Sequence, residues 1–259
     1  ARVMKEILAK LQLDEHYYGD YGKQWLSNSD IITLLNDPKS FGKSKEMTKA
    51  MLIGRYFHTA MLEPHKINSS EYDVVDASSR NTRRYKDALD ESGRMLMMLS
   101  KEKDDIDCAI STMKSNFEFF EDIYRDGNEY EVPAVGEFCG VAWKGKLIKN
   151  TSGNICKADT LTPDMIIDLK TTSNIKDFRY SARKYNYDSQ AYIYSQLFGR
   201  PLVFYVVDKI NLQLGIFTPT QDFIDRGQQK VEMAVDVYNR YFKEGCEHSI
   251  EDFVVRETL

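Results

Sequence analysis

The sequence is poor in the features that would staple it or carry it through a bilayer. Its four cysteines, Cys108, Cys139, Cys156 and Cys246, stand far apart, with no Cys-x-x-Cys pair and no Cys/His run of finger spacing. That pattern excludes a disulfide framework and a zinc module, and the four are expected to be reduced core thiols. No run approaches the roughly 18 apolar residues needed to cross a membrane. The opening stretch ARVMKEILAK interrupts its apolar positions with charge, unlike the apolar region of a signal peptide. A cytoplasmic protein with no membrane partner is therefore expected. Repeats and low-complexity linkers are also lacking, so the 259 residues read as one domain. A net charge of −5 excludes a generally basic nucleic-acid coat, although an acidic total can hide a basic stripe.

What is present is a change of period along the chain. Met4, Ile7, Leu8 and Leu11 recur at helical spacing, Ser29 is placed to cap a helix that ends before Pro38, and Met47, Ala50, Met51, Gly54, Phe57, His58 and Met61 mark one face of a helix closing at Pro64. A short strand, EYDVV, a basic loop, SSRNTRRYK, and a helix around 101 to 117 follow. From Glu131 the pattern alternates or runs apolar in EVPAVGEF, VAWKGKLI, ICKADTL and MIIDLKTT, predicting a meander of about four strands. Helices at about 175 to 185 and 188 to 198, strands LVFYVV and LQLGIF, and a helix from 221 to 243 complete the reading. The fold class expected is α/β, a mixed central sheet flanked by helices, with a helical N-terminal part at about 1 to 65 and a core at about 129 to 243.

Inside the apolar strand DMIIDLKTT, Asp168 and Lys170 share one side and Leu169 faces the other. Asp159 sits on the preceding predicted strand, and a hairpin through the TPD turn can bring it to the same end of the sheet. Two carboxylates in one place repel unless a cation joins them. Carboxylates, the Leu169 carbonyl and waters are the oxygen donors Mg²⁺ takes, and a neighbouring lysine can orient or deprotonate a water. Metal-assisted phosphodiester hydrolysis suits such a set, whereas an ordinary buried ion pair would explain Asp168 and Lys170 alone. Asp37 and Lys39 have the same spacing, but Pro38 makes that copy a surface turn. FGKS at 41 to 44 lacks the first glycine of a phosphate loop, which sets an ATPase aside.

KADTLTPDMIIDLKTT resembles the PD-(D/E)xK nuclease core, and its setting resembles the RecE-type exonucleases, related in fold to lambda exonuclease and the RecB nuclease domain. GRYFHTAMLEP, VGEFCGVAW and QAYIY carry the likeness further, over about Leu26 to Phe242. The resemblance implies that Asp159, Asp168 and His58 bind Mg²⁺ or Mn²⁺ and that Lys170 is catalytic. It implies that Gln190 and Tyr194 line the cleft and that Glu137 is the acidic strand residue, with Glu129 and Glu131 as alternatives of register. It further implies 5′ to 3′ degradation of one strand from double-stranded DNA ends for recombination, a homo-oligomeric ring, a single-strand annealing partner, a phage or prophage source and no iron–sulfur cluster. A RecB-like single-strand nuclease, an endonuclease and a non-catalytic DNA-end binding protein are the rival readings.

Charge agrees with a DNA substrate. Between Cys139 and Tyr185 there are nine Lys or Arg against four Asp or Glu. Lys144, Lys146, Lys149, Lys176, Arg179, Arg183 and Lys184 are candidate phosphate contacts, and Arg80, Arg83 and Arg84 form a second basic group. Tyr17, Tyr18 and Tyr21 are placed to stack on bases or on a neighbouring subunit. The Met-rich GRMLMMLS is expected in the core or at an oligomer contact.

Overall fold

The computed structural model describes residues 1–67, 72–149, 156–157, 160–161 and 165–259. The N-terminal part is helical: α1 (Arg2–Leu11), the single turn α2 (Asp14–Tyr17), α3 (Asn28–Asn36) and α4 (Lys49–Leu62). Ser27 is the N-cap of α3 in place of the predicted Ser29, and its backbone N–H donates to the Asp30 carboxylate at 2.8 Å. Asn36 ends that helix because the residue before a proline resists helical geometry. A parallel two-residue pair, β1 (Val74–Val75) with β2 (Met98–Leu99), brackets α5 (Arg83–Ser92), and α6 (Ser100–Ser115) and α7 (Phe117–Ile123) follow. The segment predicted as a basic loop thus becomes helical at Arg83, where the Thr82 hydroxyl accepts the Tyr85 N–H and caps α5.

The main sheet takes β3 (Glu129–Phe138), β4 (Val141–Lys149), β7 (Ile166–Thr172), β8 (Leu202–Asp208) and β9 (Leu214–Phe217) in that spatial order. Between β4 and β7 lie β5 (Cys156–Lys157) and β6 (Thr160–Leu161), which among the described residues pair with each other and join no strand of the main sheet. They stand in place of the third meander strand expected for ICKADTL, whose remaining residues lie outside the described ones. Within the main sheet, among the described residues, β7 and β8 alone run parallel, and the crossover that parallel pairing requires is made by α8 (Phe178–Lys184) and α9 (Tyr187–Phe198). The long α10 (Gln221–Tyr241) packs across α9. The sheet is mixed and flanked by helices on both faces, as the period change implied.

Strand alternation sorts the core into two layers. Ile167, Leu169, Val203, Tyr205 and Val207 pack with Leu52, Ile53 and Phe57 of α4 and with α6 and α7. Ile166, Phe204 and Val206 pack with Trp143, α3, α9 and α10. Of the cysteines whose side chains are described, Cys108 is exposed, Cys246 is partly buried, and Cys139 is partly buried and packs against the second layer; the side chain of Cys156 lies outside the described residues. Of the Met-rich stretch, Met97 and Met98 are buried while Met95 is exposed.

One break in the sheet makes the functional geometry possible. Among the described residues β4 and β7 pair only at Ile148 with Ile167 and Lys149 with Ile166, and from Leu147 and Asp168 onward they separate. Along the freed edge of β4, Leu26 donates its N–H to the Ala142 carbonyl and accepts that of Lys144, each at 2.9 Å. Those main-chain groups are thus satisfied without β7, and a gap opens beside Asp168. The other wall of the gap depends on Gly145, where a Cβ would stand 2.8 Å from the Tyr194 ring. Only a bare Cα lets α9 lie this close.

Candidate active site

Clefts that share lining residues adjoin one another around the separation of β4 from β7. The central one, of about 720 Å³, collects His58 from α4, Glu131 from β3, Lys146 from β4, Asp168, Leu169 and Lys170 from β7, and Gln190 and Tyr194 from α9. Because it passes through the sheet at the split, it receives side chains from both layers. His58 also lines the two flanking clefts on the α4 side, and Lys170, Gln190 and Tyr194 line the one that runs out past Tyr18, Trp25 and Tyr185.

Asp168 is buried and Lys170 Nζ stands 3.0 Å from its Oδ2. The pair is electrostatic: that oxygen is buried yet accepts no directed hydrogen bond. Lys170 is held from beneath by Tyr187, its ammonium 4.2 Å from the ring centroid, a cation–π contact. Loss of hydration raises the Tyr187 hydroxyl pKa, so this ring stays neutral. Gln190 Oε1 is a second buried oxygen without a hydrogen bond. Burial also lowers the His58 pKa, with Asp168 opposing and Lys170 reinforcing the shift, so His58 offers a neutral imidazole. Tyr194 is pushed far up by burial and keeps its proton.

The acidic strand residue at the cleft is Glu131, not Glu137. Glu137 is exposed, pairs with Ala142 at the far end of the hairpin and lies roughly 20 Å of strand from Glu131. A register shift between Glu129 and Val132 puts Glu131 at φ +50°, and this bulge turns its side chain into the cleft. Burial pushes its carboxyl up to about 7, with Lys146 opposing and Glu63, Asp14 and Asp168 adding to the rise. From the ordinary carboxylate value up to about 7 the folded chain keeps a proton that the unfolded chain has lost, so stability falls as pH rises through that window. Glu131→Gln is therefore expected to raise Tm at pH 8 in EDTA and to flatten the fall between pH 5 and about 7. Coincident Tm-against-pH curves for parent and variant would remove Glu131 as the source of the slope.

Several expected DNA contacts have other roles. Lys144 is buried and donates to the Tyr17 and Gly22 carbonyls, and Lys146 donates to the Gln12 carbonyl at 2.9 Å and the Asp14 carboxylate at 3.0 Å. Both ammoniums sit over the ring of Tyr17, which is therefore core and not a free stacking platform. Arg80 makes a two-pronged bond to Glu102 at 2.9 and 2.6 Å and reaches the Met97 carbonyl, which anchors the start of α6. Arg83 and Arg84 are exposed on the first turn of α5, away from the clefts, with Arg83 3.7 Å from Asp87. Arg179 and Arg183 line a separate pocket. Tyr18 stays exposed at the cleft mouth.

Gly54 does not make room for a protein contact, since a Cβ there would meet nothing within 4 Å. It keeps open space between the two clefts that it lines. Sequence reasoning also missed Tyr187, whose only signal was a position three residues before Gln190 on the same helix.

Asp159, the 162–164 turn and the side chain of Lys149 lie outside the described residues. Among the described residues no three His, Cys, Asp or Glu side chains come together as a ready metal cage. The donors that are described nevertheless fit a hard divalent ion. Asp168 presents a buried oxygen lacking a hydrogen bond, Gln190 presents another, and the neutral imidazole of His58 faces the same space. An ion of the Mg²⁺ type takes one or two protein carboxylates and fills the rest of its shell with water, so a full protein cage is not required.

The sequence matches the family described as "PDDEXK-like domain of unknown function (DUF3799)" over residues 34–249. A crystal structure described as a "Putative exonuclease" from Eubacterium rectale superposes with a TM-score of 0.61, at 17% identity, over 95% of each chain. A crystal structure of SSO0001 aligns at 17% identity over 92% of this chain and 85% of that one, with a TM-score of 0.34. No curated protein matches. At such identities the first likeness speaks for the fold.

Proposed function

We propose, since this chain belongs to the PDDEXK-like DUF3799 family, that it is a divalent-metal-dependent exonuclease of double-stranded DNA, acting 5′ to 3′ and leaving 3′ single strands for recombination by annealing. The observation that carries the reading is Asp168: a buried carboxylate oxygen, without a hydrogen bond and 3.0 Å from the Lys170 ammonium, in the lining of the central cleft.

When bound, Mg²⁺ or Mn²⁺ supplies Lewis-acid neutralisation of the scissile phosphate. Asp168 and His58 are the described residues placed to hold it, Asp159 is the third ligand that the family pattern supplies, and the Leu169 carbonyl is a fourth donor. An imidazole in this set favours Mn²⁺ more than an all-oxygen set would. Lys170, fixed between the Asp168 carboxylate and the Tyr187 ring, orients the attacking water and, as the ammonium, offsets charge as it develops on the phosphate; only as the free amine, its own proton first released to solvent, would it take up the proton of that water. Gln190 and Tyr194 position the strand, and Glu131, partly protonated near neutrality, replaces Glu137 as the acidic group at the cleft.

The site is tested with linear duplex DNA labelled at one 5′ end and, in parallel, with an unlabelled covalently closed circle followed by gel mobility, each with Mg²⁺, Mn²⁺ or EDTA. Label is expected to leave the linear duplex early with either metal, the circle to survive, and EDTA to stop the reaction. Cutting of the circle would make the protein an endonuclease. Preference for single strands would make it RecB-like, and retention without cleavage would leave an end-binding protein. The ring of copies and the annealing partner belong to the same proposal and are read by light scattering with and without DNA.

A further inference from the structure

A second pocket lies behind the clefts, on the other side of α8. Its floor is formed by Phe178, Phe204, Phe217 and Phe223, and its rim carries Arg179, Arg183 and Arg226. Helical geometry separates the two faces. Ser181 of α8 and Tyr185, the residue that follows the helix, line a site cleft, whereas Arg179, two residues before Ser181, lies about 200° around the helix and Arg183 one turn further on the same side as Arg179. The three arginines therefore face a different occupant from the one at Lys170.

The floor is already assembled. Phe178 packs on Phe217 at 4.4 Å and on Phe204 at 6.2 Å between ring centroids, and Phe204 lies 6.4 Å from Phe223. The space above it is about 160 Å³, room for one large apolar side chain. Among the described residues no carboxylate lines the pocket, and Arg226 Nε is buried without a hydrogen-bond partner. Three guanidiniums around an aromatic floor are at odds with a chain whose net charge is −5.

We propose that this pocket docks an acidic peptide segment of a partner protein, one large apolar side chain filling the floor while flanking carboxylates take the forked hydrogen bonds of the arginines. Charge complementarity and the size of the pocket favour this occupant over DNA. A sugar-phosphate backbone could use the rim, but it has no apolar group to cover the rings, and most duplex contacts are to phosphate alone. The chain's net charge of −5 opposes non-specific association of such a peptide.

The test uses the full chain in EDTA, so that it is independent of the nuclease reading, with a fluorescein-labelled Glu-Asp-Asp-Leu-Phe peptide and fluorescence anisotropy. Saturable binding is expected, weakened at least about tenfold by Arg179→Glu with Arg183→Glu, and equally by a peptide with serine in place of the phenylalanine. Both arginines are exposed, so the double variant keeps the fold, which its melting curve verifies. Arg226→Ala is expected to weaken binding as well. The proposal is overturned if no saturable binding is seen up to roughly 1 mM, if the double variant binds as tightly as the parent, or if a duplex oligonucleotide displaces the peptide.

Discussion

Lys170→Ala is expected to lower DNA hydrolysis by at least about 10³-fold while the protein still binds duplex ends, because the group lost acts on the water and the phosphate and not on the distant backbone. The variant is separated from a merely electrostatic one by Lys170→Arg. A guanidinium keeps the charge beside Asp168 and can still lie over Tyr187, but it holds its proton at any working pH. If Lys170 handles the proton, the arginine variant is nearly as inactive as the alanine variant. If it supplies only charge, arginine restores much of the rate. Single-turnover cleavage of an end-labelled duplex, with binding followed separately in Ca²⁺, gives both answers. Full activity in Lys170→Ala would remove the residue from the chemistry.

The alternation that brought Asp168 and Lys170 to one side of a buried strand was legible in the sequence, since side-chain period and apolar run are local properties. So were the Gly199 stop and the helices that carry His58 and Gln190, because each depends on neighbours within a few turns, and the mixed sheet followed from the order of strand and helix periods along the chain. The choice between Glu137 and Glu131 was not. It is made by a bulge with a positive φ at a glutamate, which no residue type announces. Nor could the sequence assign the basic residues. Lys144, Lys146 and Arg80 carry the same charge as a phosphate contact, and only long-range packing, against Tyr17, Gly22, Gln12 and Glu102, commits them to the scaffold. Burial of a lysine depends on segments more than a hundred residues away in the chain, which a window of local pattern does not contain.

Two glycine-to-alanine substitutions on helices should have opposite consequences, and together they separate the scaffold from the cleft. At Gly227 of α10 a Cβ would lie 2.0 Å from the Asp188 carbonyl oxygen and 2.9 Å from the Ser189 nitrogen, main-chain atoms that cannot rotate away. α10 would have to back off the first turn of α9, breaking the 2.9 Å bond between Lys230 and Asp188. Tyr187 and Gln190, which flank that turn, would be displaced from Lys170 and the cleft. Gly227→Ala is expected to cost about 3 kcal/mol or more, a fall in Tm on the order of 10 °C, with activity lost in step. At Gly54 the added methyl meets no protein atom. Alanine is also the better helix former by up to about 1 kcal/mol, so Gly54→Ala should hold or raise Tm. It nevertheless places a methyl in the space between the two clefts. If that space receives the substrate, Gly54→Ala loses activity without losing stability. A Gly54→Ala variant as active as the parent would place the DNA strand elsewhere, and a Gly227→Ala variant as stable as the parent would mean that the α9 and α10 crossing is looser than 2.0 Å implies.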